Sequence, residues 1–223
     1  MTEKPSLPAA GVLDQLTALT LDRGRPLIAV DADEVLVLLA AHLKQFLARH
    51  QIDMRLTEYR LEGTMFPHGE EYPLSFEESI QWIDRFFEEE VLHQQALPGA
   101  AAALKSLSAV AQIIVLTNVP AHGGAKRVEN LKGLGIPYPV VVNSGGKGAA
   151  LAWLADRVAA PLVFIDDSPR QIKSAKDAVP DLIAIHFAGA AMVERLIPDC
   201  AEADHRVSSW ADCDKLICRL LGV

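Results

Sequence analysis

The chain has 223 residues, half of them hydrophobic and 22% charged, which suits one sizeable packed domain, or one carrying an insertion, and excludes a disordered chain. Its formal net charge of −8, without a long basic run, excludes a phosphate-neutralising face for nucleic acid. A protein this negative that acts on anionic small molecules needs local positive charge from a metal, a lysine or a helix N-terminus.

The start, Met1-Thr2-Glu3-Lys4-Pro5, lacks the basic and apolar regions of a signal peptide. No apolar stretch reaches spanning length, since the run from Val35 to Ala41 is soon broken by His42, Lys44 and Gln45. The expected location is therefore the cytoplasm, with no membrane partner. Leu13, Leu16, Leu19 and Leu21 are loosely helix-spaced and read as packing in a short lead-in. The first strand is Pro26-Leu27-Ile28-Ala29-Val30, a short apolar run of the kind buried in parallel sheets, and it ends in Asp31-Ala32-Asp33.

A helix is expected from Val35 to Leu47, then a polar loop from Arg55 to Tyr72 broken by Gly63, Pro67 and Gly69. Ser75-Phe76-Glu77-Glu78 is a capping box, and Phe76, Ile80, Ile83 and Phe87 follow at helical spacing as a core-facing stripe. Residues 35–96 thus read as a mostly helical insertion rather than part of a sheet.

Helices are then expected over Pro98–Leu107, His122–Leu134, Gly148–Val158 and Arg170–Ala178, and strands over Ile113–Leu116, Val140–Val142, Leu162–Ile165 and Leu182–His186. This alternation implies βαβ units, a parallel sheet and an α/β, Rossmann-like three-layer core. Right-handed crossovers place all strand C-termini on one rim, where ligands of open α/β sheets bind. Cys200, Cys213 and Cys218 close the chain; odd in number and without zinc or redox spacing, they read as structural thiols.

Four of the five strands deliver chemistry to that rim. The first gives Asp31 and Asp33, the second Thr117 and Asn118, and the fourth Asp166 and Asp167. After the third, Asn143-Ser144-Gly145-Gly146-Lys147 brings an ammonium to a helix N-terminus. Four carboxylates on one rim cannot all stay ionised without a cation or protons, and oxygen ligands with room left for substrate suit Mg²⁺. Taken singly, Asp31 reads as a turn residue, Thr117-Asn118 as a turn or cap and Lys147 as a surface charge; their order along the chain argues against each. Asp167 is a direct ligand, a water-mediated one, or a helix cap with Ser168. His42, His68 and His122 read as ordinary surface residues.

In this order the residues resemble the haloacid dehalogenase superfamily of aspartate-nucleophile phosphohydrolases. Asp31-Ala32-Asp33-Glu34-Val35, Val115-Leu116-Thr117-Asn118, Lys147-Gly148 and Phe164-Ile165-Asp166-Asp167 stand where that family's four motifs stand, from Pro26 to the C-terminus. The resemblance implies a core of residues 1–34 and 97–223 with a small cap at 35–96. It also implies a Mg²⁺-dependent phosphatase cleaving a small phosphomonoester through an aspartyl-phosphate on Asp31. Asp33 would then be the general acid and base, Thr117 and Asn118 would hold phosphoryl oxygens, and Lys147 would balance charge. Asp31, the Asp33 main chain and Asp166, with Asp167 nearby, would hold the metal.

Two departures matter. The family usually has Gly after the second Asp; here Glu34 puts a bulky acid beside the phosphate entrance, to repel some substrates or to turn outward. The fourth motif has adjacent acids followed by Ser168, Pro169, Arg170 and Gln171, without a further Asp. A phosphomutase and a non-catalytic Mg²⁺- and phosphate-binding regulator remain as alternatives, while a haloalkanoate dehalogenase has no use for Asp33 or the metal cluster. Neither the substrate's identity nor the oligomeric state is legible.

Overall fold

A computed structural model describes residues 7–222. The N-terminal reading from Met1 to Pro5 lies outside these, and within them no helix is long and apolar enough to cross a membrane.

After helix α1 (Ala10–Thr17), strand β1 (Leu27–Val30) is buried at all four positions. The segment that follows holds α2 (Leu39–Arg49), β2 (Ile52–Met54), β3 (Met65–Pro67) and α3 (Phe76–Glu89). The chain then alternates: α4 (Ala100–Leu107), β4 (Gln112–Thr117), α5 (Gly124–Gly133), β5 (Val140–Val142), α6 (Gly148–Val158), β6 (Leu162–Asp166), α7 (Pro169–Ala178) and β7 (Ile183–Phe187). A short β8 (His205–Val207) and α8 (Trp210–Leu221) close the fold.

Six strands form one parallel sheet in the order β5-β4-β1-β6-β7-β8, with β1 in its middle between β4 and β6. Successive side chains point to opposite faces of a strand, and both faces of this sheet are buried. Ile28, Val30, Val115 and Ile165 join the insertion, α4 and α8 on one side; Leu27, Ala29, Ile114 and Phe164 join α1, α6 and α7 on the other. This is the three-layer α/β architecture that the alternating pattern implies.

Four expectations need correction. Helix α2 begins at Leu39, not Val35, because Val35, Leu36 and Val37 all donate their amides to the Ala32 carbonyl in a tight turn. The loop from Arg55 to Tyr72 contains β3, which pairs antiparallel with β2, so the insertion carries a two-stranded ribbon beside its helices. On α3 the capping box is present, but Phe76 and Ile80 are exposed; the buried stripe runs through Ser79, Phe86 and Phe87. Strand β8 adds a sixth member to a sheet expected to have five.

The two ends of the insertion run side by side. Leu38 donates its amide to Gln95 at 2.9 Å and Leu97 donates to Leu36 at 2.8 Å. The loop beyond β1 is thereby tied to the start of the return path, and Trp210 of α8 fixes it from behind through Nε1 to the Val35 carbonyl, 2.7 Å.

Candidate active site

Parallel pairing in register brings the ends of β1 and β6 together: Val30 lies opposite Ile165, and the Asp31 amide donates to the Ile165 carbonyl at 2.9 Å. Asp31 and Asp166 therefore leave neighbouring strands at the same height. Lys147, the residue before α6, reaches both: its Nζ lies 2.5 Å from Asp31 Oδ1 and 2.7 Å from Asp166 Oδ2. Burial alone would lower the lysine's pKa, but Asp166 and then Asp31 outweigh it and hold the pKa above its ordinary value. Burial pushes Asp166 up to about 7, against the pull of Lys147 and with a further push from Asp31.

The loop carrying Lys147 is braced from two directions. Asn118 donates to the Gly145 carbonyl at 2.7 Å and accepts from Asn143 at 2.9 Å. The Lys147 and Gly148 amides, at the start of α6, donate to Gln171 Oε1 at 2.9 Å and Ser174 Oγ at 3.1 Å on α7. Thr117, at the end of β4, is fully buried, and its Oγ1 finds no partner among the described residues. A buried hydroxyl without a partner carries the full desolvation cost of its polar atom, so it marks a place shaped for a ligand oxygen.

Asp31, Asp166 and Asp167 each offer an oxygen within 4.8 Å of the others. Burial first, then the charges of Asp31 and Glu34, raise Asp167 well above the usual carboxylate range. A divalent cation relieves such a cluster, and three carboxylates suit Mg²⁺, so donor set and electrostatics both fit that ion. The Asp167 carboxylate also accepts the hydroxyl of Tyr59 from the insertion, and its carbonyl lies 2.9 Å from His186 Nε2. A ring N–H donated there is consistent with burial holding His186 below its ordinary pKa. The fifth strand, expected to bring nothing comparable to the rim, thus braces the fourth.

The Asp33 carboxylate stands apart from the triad. Its Oδ1 lies 2.6 Å from Nη2 of Arg127, a fully buried arginine on α5. Arg127 Nη1 is 3.4 Å from Asn130 Oδ1, whose amide in turn donates to the Gln94 carbonyl at 2.9 Å. Burial raises the Asp33 pKa, Arg127 lowers it, and Asp31 raises it again; the net direction is upward. The side chain being turned to Arg127, only its main-chain carbonyl is left to serve as the ligand that the resemblance assigns to it.

Glu34 neither faces the phosphate entrance freely nor turns outward. It is buried, adopts a left-handed φ of 59°, and folds its carboxylate onto the Ala40 amide at the start of α2. That φ favours glycine, since L-residues are strained there by roughly 1–2 kcal/mol. The carboxylate serves instead as a helix N-terminal acceptor. Burial pushes it up to about 7, with the Ala40 amide opposing.

Arg127 and Tyr59 were not legible in the sequence. Each meets its acid across 94 and 108 residues respectively, from an ordinary helix and from a polar loop. His42, His68 and His122 pair with Glu90, Asp53 and Asp84 and do not join the cluster.

No protein-family model matches the sequence, and a search of curated proteins finds no match. Solved structures are similar in fold. One is a conserved haloacid dehalogenase-like protein of unknown function from Agrobacterium tumefaciens, 20% identical, with a TM-score of 0.60 over 88% of this chain and 99% of that one. Another is a haloacid dehalogenase family hydrolase from Deinococcus radiodurans with bound phosphate and sodium, 17% identical, TM-score 0.59, covering 90% and 98%. A third is a defluorinating L-2-haloacid dehalogenase, 13% identical, TM-score 0.57, covering 88% and 99%. The fold is the haloacid dehalogenase-like fold.

Proposed function

We propose that the protein is a Mg²⁺-dependent phosphatase that cleaves a small phosphomonoester through an aspartyl-phosphate on Asp31. The observation that carries this reading is the convergence of Asp31, Asp166 and Lys147 within 2.7 Å contacts, with the Thr117 hydroxyl, which has no partner among the described residues, at the end of the neighbouring strand β4. A carboxylate paired with an ammonium, with an unsatisfied donor on the adjoining strand end, suits displacement at an anionic centre.

In the first half-reaction an Asp31 oxygen attacks phosphorus, the bond to the leaving oxygen breaks, and Asp33 gives that oxygen its proton. In the second, water attacks the phosphorus of the aspartyl-phosphate, Asp33 takes the water's proton, and inorganic phosphate leaves with Asp31 restored. Asp33 begins protonated, which its raised pKa favours. Thr117 donates its hydroxyl to a phosphoryl oxygen, and Lys147 offsets charge on Asp31 and on the transition state. Asn118 serves the phosphate indirectly, by holding the loop that carries Lys147. Mg²⁺, held by the Asp31, Asp166 and Asp167 carboxylates, would supply the positive charge that lets a carboxylate and a phosphate dianion meet. Residues 35–96 act as the cap that excludes water.

Similarity to a haloacid dehalogenase invites a dehalogenase reading, but that chemistry leaves Asp33, Arg127 and the acidic triad without work. The test is phosphate release from an aryl phosphate and a panel of alkyl phosphates, with Mg²⁺ or chelator, beside a 2-haloacid. Metal-dependent phosphate release lost in Asp31→Asn is expected. Halide release without phosphate release, or phosphate moved within a sugar and not freed, sinks the reading. Asp33→Asn should slow turnover by roughly 10²–10⁴-fold, more for alkyl than for aryl leaving groups; equal losses on both remove Asp33 from the acid role.

A further inference from the structure

We infer that the ester this site takes has a small, uncharged, largely apolar leaving group, and that the site discriminates against esters bearing a second charge. The inference rests on the phosphatase reading and names the substrate class of that same site.

Beside Asp31 and Asp33 lies a half-open cavity of about 220 Å³, lined by the β2–β3 loop of the insertion and by Val193 from the segment after β7. Sites for drug-sized ligands run to roughly 300–1,000 Å³. This one buries a small fragment, and any larger group on the ester would extend out through its open side. Its hydrocarbon wall comes from Leu39, Ala40, Leu56, Leu61 and Val193.

Every charged side chain lining it already has a partner. Asp31 is paired with Lys147 and Asp33 with Arg127. Glu34 is engaged with the Ala40 amide and Asp167 with the Tyr59 hydroxyl. At the lip, Glu58 and Arg60 lie 3.2 Å apart with side chains 64% and 61% exposed. Arg60 is the only basic residue in the lining, and it stands in solvent beside its own acid. A carboxylate or second phosphate on the leaving group would lose its water beside these acids and gain no buried cation. An ammonium would find Asp33 engaged by Arg127 and Glu34 by the Ala40 amide, with Asp31, Asp166 and Asp167 given to the divalent cation. Burying an unpaired charge is costly, whereas a hydrocarbon or single-hydroxyl group gains from the wall.

Non-hydrolysable isosteres test this on the full-length protein with Mg²⁺. By calorimetry, propylphosphonate should bind at least about tenfold tighter than 2-carboxyethylphosphonate and 2-aminoethylphosphonate, which differ from it mainly by charge. Leu61→Lys places an ammonium in the wall and should narrow the gap for the carboxylated ligand while leaving the aminated one disfavoured. Equal affinities, tighter binding of a charged ligand, or no binding of propylphosphonate overturns the inference. The matching phosphate esters separate it from the parent reading. Release from all three at similar kcat/KM overturns the leaving-group inference alone. Selective binding without any release sustains the ligand class and overturns the phosphatase.

Discussion

Asp33 and Arg127 show where reading residues in a row stops. Asp31, Thr117, Lys147 and Asp166 were legible because each follows an apolar strand or opens a helix, and strand ends in a parallel sheet share a rim. Nothing local marks Arg127: it sits in the polar stretch Gly124–Gly133, and its burial follows from the way α5 packs against the return path of the insertion. A guanidinium at zero exposure is tolerated because Asp33, and more distantly Asn130, meet it. Arg127→Met should therefore cost about 1–3 kcal/mol in urea unfolding, since Asp33 loses its buried donor and answers by holding its proton more tightly. Pairing it with Asp33→Asn should recover part of that loss. Additive single effects in the cycle would mean that the two groups do not act as a pair. Glu34 carries the converse lesson: the sequence marked it as a departure, but only the backbone at φ 59° and the α2 amides explain what it does there.

Elements were legible in proportion to their periodicity. Strands β1, β4, β5, β6 and β7 are apolar runs and fell within a residue or two of their expected bounds. Strands β3 and β8 are three residues each, lie among glycine, proline or charged neighbours, and depend on a partner strand for their existence. The contact between α6 and α7 is another tertiary fact that the sequence records only as a glycine. A Cβ on Gly148 would lie 2.2 Å from the Ser174 carbonyl oxygen and 2.9 Å from Ala178 Cβ. Neither atom can yield without shifting a helix, so Gly148→Ala should destabilise by roughly 1–3 kcal/mol. It should also lower kcat sharply, because Lys147 is the adjacent residue and a misplacement near 1 Å can cost about 10²-fold. Gly133→Ala, with nothing within 4 Å of its new methyl, is the control: its Tm should hold or rise. A similar loss in both variants would assign the effect to helix chemistry rather than to the close approach.

At the scale of the molecule, the cluster on the rim sets how stability depends on pH. Asp33, Glu34, Asp166 and Asp167 all have folded pKa values raised above their ordinary ones, Glu34 and Asp166 to about 7. Between about pH 4 and 7 the native state therefore holds protons that the unfolded chain has released, and stability falls as pH rises through that window. His186, lowered by burial, opposes this only below its ordinary 6.5, as one group against four. Asp204 and Glu90 are held low by amide, lysine, histidine and arginine partners, so their contribution is lost only at more acid pH. In chelator, Tm should accordingly decline from pH 5 to pH 8. A cation that takes the place of those protons would reverse the slope: on the proposed reading Mg²⁺ would bind the ionised cluster and compete with protons at pH 5. At one hundred times its Kd it adds roughly 2.7 kcal/mol, worth about 2–4 °C per kcal/mol in a chain of this size. The Mg²⁺-induced rise in Tm should be largest at pH 8 and small at pH 5, and Asp166→Asn should flatten both the decline and the rise. A Tm in chelator that climbs steadily from pH 5 to 8, or a Mg²⁺ effect independent of pH, would mean that the four acids are not crowded into one desolvated site.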